Sequence, residues 1–389
     1  MTTAELVYAG GTLVENEPRT LTLNRPGTGD PALRAWDAAD ELLLTEALSA
    51  ASGLAELRVL IVDDQYGALS LGLSGWSPVI VTDSATLVSA LDENASLNPS
   101  LNAPGQLHSW IFPPEGPFDL VVMRIPRQAD YLGWLLRWLN GVMADSGVLL
   151  AGGMIKHLPA RSVDVFAEAV NTEQVLPARK KARVIRCRKG SALLGDWPGI
   201  WKGYLLNGQS NCRVDALPAV FAREKLDIGT RLLMPRVAEV VISAEPGARV
   251  LDLACGNGVL GLTALAERQD LQVCFNDVSS QAVLSARHNV ERAFPDAEVA
   301  FVHADGIEPG QGRFDLILLN PPFHEGGVIG DHIALRLFEQ AARHLSPGGI
   351  LLLVGNRHLG YHRSLHRHFS SVYQLDASPK FVVFRAGNR

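Results

Sequence analysis

From Ala248 onward, short apolar runs alternate with stretches whose apolar residues recur at helical spacing. The runs "ARVLDLA", "QVCFND", "VAFVHAD", "FDLILLN" and "GILLLVG" read as strands, and "KFVVFRA" closes the chain as another. Between them, "GLTALAERQ", "SQAVLSARHNVERAF" and "HIALRLFEQAARHL" read as helices. Strands that alternate with helices predict a largely parallel sheet covered on both faces.

The pattern occurs twice. "RVLIVDDQYGALSLGL" (58–73) echoes "RVLDLACGNGVLGLTA" (249–264), "FDLVVMRIPR" from Phe118 matches "FDLILLNPPF" from Phe314, and "SGVLLAGG" from Ser146 matches "PGGILLLVGN" from Pro347. Near the ends, "ARVIRCR" stands against "KFVVFRA". Four matches in one order, at a period of roughly 190 residues, argue against chance similarity of Leu/Val-rich strands. Two doubly wound α/β domains are predicted: 1–189, then an interdomain segment 190–236 rich in Gly, Pro and Trp, then 237–389.

A chain of 389 residues accommodates two such domains. Hydrophobic content of 47% with 20% charged residues is ordinary for a globular protein, and no apolar stretch approaches the roughly 18 residues of a membrane helix. The opening "MTTAELVYAGG" lacks the basic and apolar segments of a secretory signal, so a cytoplasmic location is expected. Cys187, Cys212, Cys255 and Cys274 show no CxxC spacing, which predicts neither a zinc site nor a disulfide framework. The net charge of −6 hides two basic runs, "ARKKARVIRCRK" (178–189) and "HRSLHRHF" (362–369), either of which could be a solvated face or an RNA contact.

The chemistry concentrates in the second copy. "DLACGNGVLGL" (252–262) is a strand, a glycine turn and a helix start, where Gly256 and Gly258 let a ligand approach the backbone and the helix N-terminus offers free amide donors. Asp277, 21 positions after Gly256, stands where an acid accepts hydrogen bonds from a ribose. Nicotinamide dinucleotides and S-adenosylmethionine both suit this arrangement. Asp305, in "HADG", ends the third strand, where an acid can receive an adenine amine. "NPPF" (320–323) ends the fourth, so all these residues should converge on one crevice.

An exocyclic amine on a nucleobase is a poor nucleophile, because its lone pair is delocalised into the ring. If the side-chain oxygen of Asn320 and the carbonyl of Pro321 accept its two hydrogens, the lone pair is freed to meet a sulfonium methyl. Pro321 and Pro322 would fix the loop, and Phe323 would stack on a flipped base.

These motifs resemble those of the class I S-adenosylmethionine-dependent methyltransferases that act on exocyclic amines or on the glutamine amide. The tandem arrangement is similar to the bacterial rRNA guanine-N2 methyltransferases of the RsmC/RlmG family. "WDAADELLL" (36–44), "NPPFHEGG" (320–327), "NRHLGYH" (356–362) and "KFVVFRA" point to its RlmG branch, which modifies 23S rRNA. The resemblance implies two tandem class I (Rossmann-like) domains, the N-terminal one degenerate with an RNA-binding role, and no metal. The expected cofactor contacts are Asp252, Ala254, Gly256, Gly258, Asp277, Asp305 and Asn320, with Phe221, Asp227 and Thr230 also lying against the cofactor. The catalytic set is Asn320, Pro321, Pro322 and Phe323. Weaker candidates for contact with RNA are His324, Arg357, Arg124 and Arg127. A monomer acting on a guanine of 23S rRNA is expected, with a 16S guanine or a glutamine amide of a translation factor as the alternative.

The first copy departs from this pattern. Gln65 replaces Gly256, Asp63 and Asp64 crowd the loop, and "RIPR" replaces "NPPF", with Arg124 for Asn320 and Arg127 for Phe323. Arginine cannot accept a hydrogen bond from an amine but can contact a phosphate, so neither cofactor nor chemistry is expected there. Trp134 and Trp138, in "YLGWLLRWL", are expected in the core.

Overall fold

Val59–Val62 is buried at every position, and Phe118–Arg124 at all but one, so both strands need helices on both faces. The computed structural model describes residues 3–8, 19–27, 33–54, 56–206, 213–322, 324–325, 328–329 and 332–388. The chain divides into two units, Met1–Ile200 and Trp201–Arg389.

In the first unit a hairpin of β1 (Ala4–Tyr8) and β2 (Arg19–Leu23) precedes α1 (Ala38–Ala50). Then follow β3 (Val59–Val62), α2 (Ala68–Gly72), β4 (Val79–Val81), α3 (Thr86–Ser96), β5 (Leu107–His108), β6 (Phe118–Arg124), α4 (Ala129–Val142), β7 (Met143–Met154), α5 (Ser162–Ala169), β8 (Asn171–Val175) and β9 (Ala182–Arg188). The sheet order is β5-β4-β3-β6-β7-β9-β8, parallel except for β9, which runs antiparallel to both its neighbours. Trp134 is buried and stands edge-on to Trp110, 4.6 Å between ring centres.

The second unit repeats the scheme. Its hairpin is β10 (Lys202–Leu205) with β11 (Arg213–Ala216), followed by α6 (Ile228–Ile242), β12 (Arg249–Leu253), α7 (Val259–Glu267), β13 (Gln272–Asp277), α8 (Ser280–Ala293), β14 (Val299–His303) and β15 (Phe314–Leu319). A small pairing of β16 (His324–Glu325) with β17 (Val328–Ile329) leads to α9 (His332–His344), β18 (Leu345–Asn356), α10 (Tyr361–Leu365), β19 (Ser371–Ala377) and β20 (Phe381–Gly387). The order β14-β13-β12-β15-β18-β20-β19 matches the first sheet strand for strand. From β12 the chain steps outward to β13 and β14, then crosses back to β15 on the other side of β12, which opens a crevice at the strands' carboxyl ends.

The unit boundary corrects the sequence expectation of a connector over 190–236. Residues 190–200 complete the first unit, where the Asn140 side chain bonds Gly190 N (2.8 Å) and Ala192 O (2.7 Å). Residues from Trp201 onward build the second. There a polar stripe on α8 holds the incoming chain: Asn289 Oδ1 accepts from Asp215 N (2.9 Å), Ser285 Oγ from Leu217 N (3.0 Å) and Gln281 Oε1 from Ala219 N (2.8 Å). In the first unit Asn94 of α3 accepts from Asn24 N at 2.7 Å, and its amide donates to Tyr66 O, as that of Asn289 does to Asn257 O. The repeat therefore includes the hairpin and the first helix, and the supposed linker is the start of the second copy.

Candidate active site

Three strand ends build a cavity of about 340 Å³ in the second unit. After β12 the chain turns through Ala254, Gly256 and Gly258, all with positive φ (57°, 55° and 82°). Ala254 pays the strain of a left-handed backbone at the cavity wall. Gly256 faces open space, so a ligand can approach its backbone, whereas Gly258 packs against Ala286. At Gly261 a Cβ would lie 2.3 Å from the Phe275 ring, so α7 can pack this closely on β13 only through glycine.

Asp277 ends β13 and holds the turn: its Oδ2 accepts from Gly256 N at 2.8 Å and its Oδ1 from Ser279 N at 2.9 Å. It lines the cavity with Val278, while Tyr204, Phe221, Asp227 and Thr230 form the wall contributed by the chain before β12. Asn320, Pro321 and Pro322 complete the site from the end of β15. The Asn320 amide nitrogen donates to Thr230 Oγ1 (2.8 Å) and Asp227 Oδ2 (3.2 Å), while its Oδ1 is buried with no partner among the described residues. An unsatisfied buried acceptor is costly and usually awaits a donor.

Of the expected cofactor contacts, the structure brings Ala254, Gly256, Asp277 and Asn320 to the cavity, and three lie elsewhere. Asp252 is buried beneath the turn, its Oδ2 accepting from Gly261 N at 2.8 Å, and burial pushes its carboxyl up to about 8. Gly258 serves packing. Asp305 does not line the cavity, and its Oδ1 is taken by Arg336 at 2.5 Å. Tyr204 was invisible from sequence, because nothing in "WKGYLL" marks a cavity residue. Phe323 lies outside the described residues, as does the side chain of His324. Arg357 donates to Ser378 O at 2.8 Å, so its guanidinium ties a turn.

In the first unit the corresponding place is filled. Arg124 is buried, bonded through two nitrogens to Asp37 (2.8 Å each) and paired with Asp40 at 3.1 Å. It is not available to a phosphate, contrary to the expectation from "RIPR". Despite burial, Arg124 holds the Asp37 carboxyl below its usual range, while burial raises that of Asp40. Asp64 spends its carboxylate on Ser70 N and Oγ, both at 2.8 Å. Arg127 remains exposed at the carboxyl edge of the sheet. The basic run 178–189 is partly paired: Lys180 pairs with Glu41, Arg186 and Arg188 with Glu173, and Lys189 with Asp145.

Burial pushes the Cys187 and Cys274 thiols up to about 11 and also raises that of Cys255, as expected of unreactive thiols. Among the described residues no group of three or more His, Cys, Asp or Glu is placed to hold a metal, and no helix is long and apolar enough to cross a membrane.

Comparison with known proteins agrees with this geometry. Residues 12–191 match the RLMG N-terminal domain and residues 211–385 the methyltransferase small domain. Ribosomal RNA large subunit methyltransferase G of Alcanivorax borkumensis is 39% identical over 92% of this chain and 93% of its own length. The protein of the same name from Pseudomonas entomophila is 38% identical over 94% and 96%. The solved 16S rRNA N2 G1207 methyltransferase (RsmC) of T. thermophilus, in complex with AdoMet and guanosine, shares the fold with a TM-score of 0.74 at 23% identity, covering 100% of this chain and 98% of its own.

Proposed function

Because the chain belongs to the ribosomal RNA large subunit methyltransferase G family, we propose that it methylates the exocyclic N2 amine of a guanine in 23S rRNA, using S-adenosylmethionine. The observation that supports this reading best is the buried, unpartnered Oδ1 of Asn320 beside a cavity floored by the Gly256 turn and Asp277. Asp277 would accept the ribose hydroxyls, and Gly256 would admit the cofactor against the backbone. When bound, S-adenosylmethionine supplies an electrophilic methyl carbon. Asn320 Oδ1 and the Pro321 carbonyl take the two hydrogens of the amine, which localises the nitrogen lone pair and points it out of the loop. Pro321 and Pro322 keep that loop rigid, and Phe323 supplies a ring for the extruded base. After transfer one amine proton passes to water.

The first unit serves RNA capture in this reading, with Arg127 and not Arg124 on its surface, and carries no cofactor because Arg124 and its carboxylates fill the site. We place the protein in the cytoplasm as a monomer. Two measurements test this. Calorimetry should find one S-adenosylmethionine per chain, weakened at least about tenfold by Asp277→Ala, since ribose hydrogen bonds to a charged acceptor contribute roughly 1.5–3 kcal/mol. In a strain lacking the protein, 23S rRNA should lack one N2-methylguanine, restored by the wild-type gene. Two cofactor sites, or a full set of 23S methyl groups, would refute the proposal.

A further inference from the structure

We propose that Asp227 and Thr230 are positioning residues that fix which way round the Asn320 amide stands, and so decide that the strand end offers the substrate an acceptor. This deepens the reading above and rests on it. An asparagine amide presents oxygen on one side and NH2 on the other, and a half-turn would exchange them. Only the oxygen can receive an amine hydrogen.

The surroundings favour one orientation. Asp227 precedes α6 as its N-cap, and its Oδ2 accepts from Thr230 N at 2.8 Å. The same Oδ2 lies 3.3 Å from Thr230 Oγ1. A carboxylate only accepts, so the threonine hydroxyl must turn its hydrogen to Asp227 and its lone pair to Asn320. The Asn320 nitrogen then donates to that lone pair at 2.8 Å and to Asp227 Oδ2 at 3.2 Å. A flipped amide would set its oxygen 3.2 Å from the acceptor-only Asp227 carboxylate, draw the Thr230 hydroxyl hydrogen away from that carboxylate, and bury its NH2 without a partner among the described residues. The chain of donors runs one way, from Asn320 through Thr230 to Asp227, and leaves Oδ1 free.

The first unit supplies an internal comparison. Asp37 caps α1 as Asp227 caps α6, Asp40 stands at the position of Thr230, and Arg124 at that of Asn320. Again the cap carboxylate holds the residue at the end of the fourth strand, at 2.8 Å through both oxygens. The cap thus has a second task in both units. In the first it sequesters a guanidinium; in the second it orients an amide.

Thr230→Val keeps the volume and removes the hydroxyl, Thr230→Ser restores it, and Asp227→Asn keeps a good cap while removing the acceptor-only carboxylate. Each variant, full length, is assayed for S-adenosylmethionine affinity by calorimetry and for single-turnover methyl transfer to 23S rRNA, alone and with Asn320→Ala. At saturating S-adenosylmethionine, Thr230→Val and Asp227→Asn should slow transfer at least about tenfold, because misplacing a reacting group by about 1 Å costs on the order of a hundredfold. Thr230→Ser should recover most of the rate, and Thr230→Val should add nothing once Asn320 is alanine. Full-rate transfer by Thr230→Val, a loss that saturating cofactor abolishes, or an equal loss in the Asn320→Ala background would each overturn the positioning role. Near-normal transfer by Asn320→Ala itself would instead remove the underlying reading of Asn320, and this proposal with it.

Discussion

Asn320→Ala should hold S-adenosylmethionine with near wild-type affinity and transfer its methyl group at least about a hundredfold more slowly. The substitution leaves the Gly256 turn, Asp277 and the wall bearing Tyr204 and Phe221 in place, and these supply most of the expected cofactor contacts. It removes a buried acceptor at the cavity that has no partner among the described residues. An interaction made with the reacting amine lowers the barrier to transfer and not the energy of cofactor binding, so the loss belongs in the rate. Single-turnover transfer of labelled methyl to 23S rRNA, with calorimetry in parallel, separates the two. A rate within a few-fold of wild type would mean that another group orients the amine.

Arg124→Ala should destabilise the first unit by about 3–5 kcal/mol, as expected when one partner of a buried ion pair is deleted. The change leaves the Asp37 and Asp40 carboxylates beside each other without a cation, and Asp40 is fully enclosed. The loss depends on pH in a definite direction. Without the arginine both carboxyls titrate above their unfolded values, so the folded state binds more protons than the unfolded one, and stability falls as pH rises from about 5 to 8. Chemical denaturation at pH 5, 6.5 and 8 should give the smallest deficit at pH 5, and adding Asp40→Asn should recover part of it. A deficit under about 1 kcal/mol at every pH would show that the cluster contributes little.

Much of this architecture was legible because a buried parallel strand has nothing but apolar residues to show, and its turns nothing but glycine. Hence both sheets, their duplication and the Gly256 and Asp277 corner could be placed from the sequence. What escaped was every feature set by a partner far along the chain. "RIPR" displays an arginine but not the carboxylate 87 positions earlier that buries it. Asp305 reads as a ligand contact in the sequence, which does not show Arg336, 31 positions on, bonded to its Oδ1. The segment around Asp215 looked like a linker because the side chains that hold it, on α8, lie beyond the next two strands.

Those last ties have a consequence for the order in which the second unit folds. They join positions separated by 74, 68 and 62 residues, so each closes a loop whose entropy cost must be met before its hydrogen bond forms. The acceptors sit on α8, and that helix cannot present them until it has docked on β13. The wall bearing Phe221, Asp227 and Thr230 should therefore close last, and the amides of Asp215, Leu217 and Ala219 should become protected from pulsed hydrogen exchange after those of β12. Until that late step the nascent unit already has its sheet and its glycine turn, yet it cannot retain a cofactor or aim Asn320.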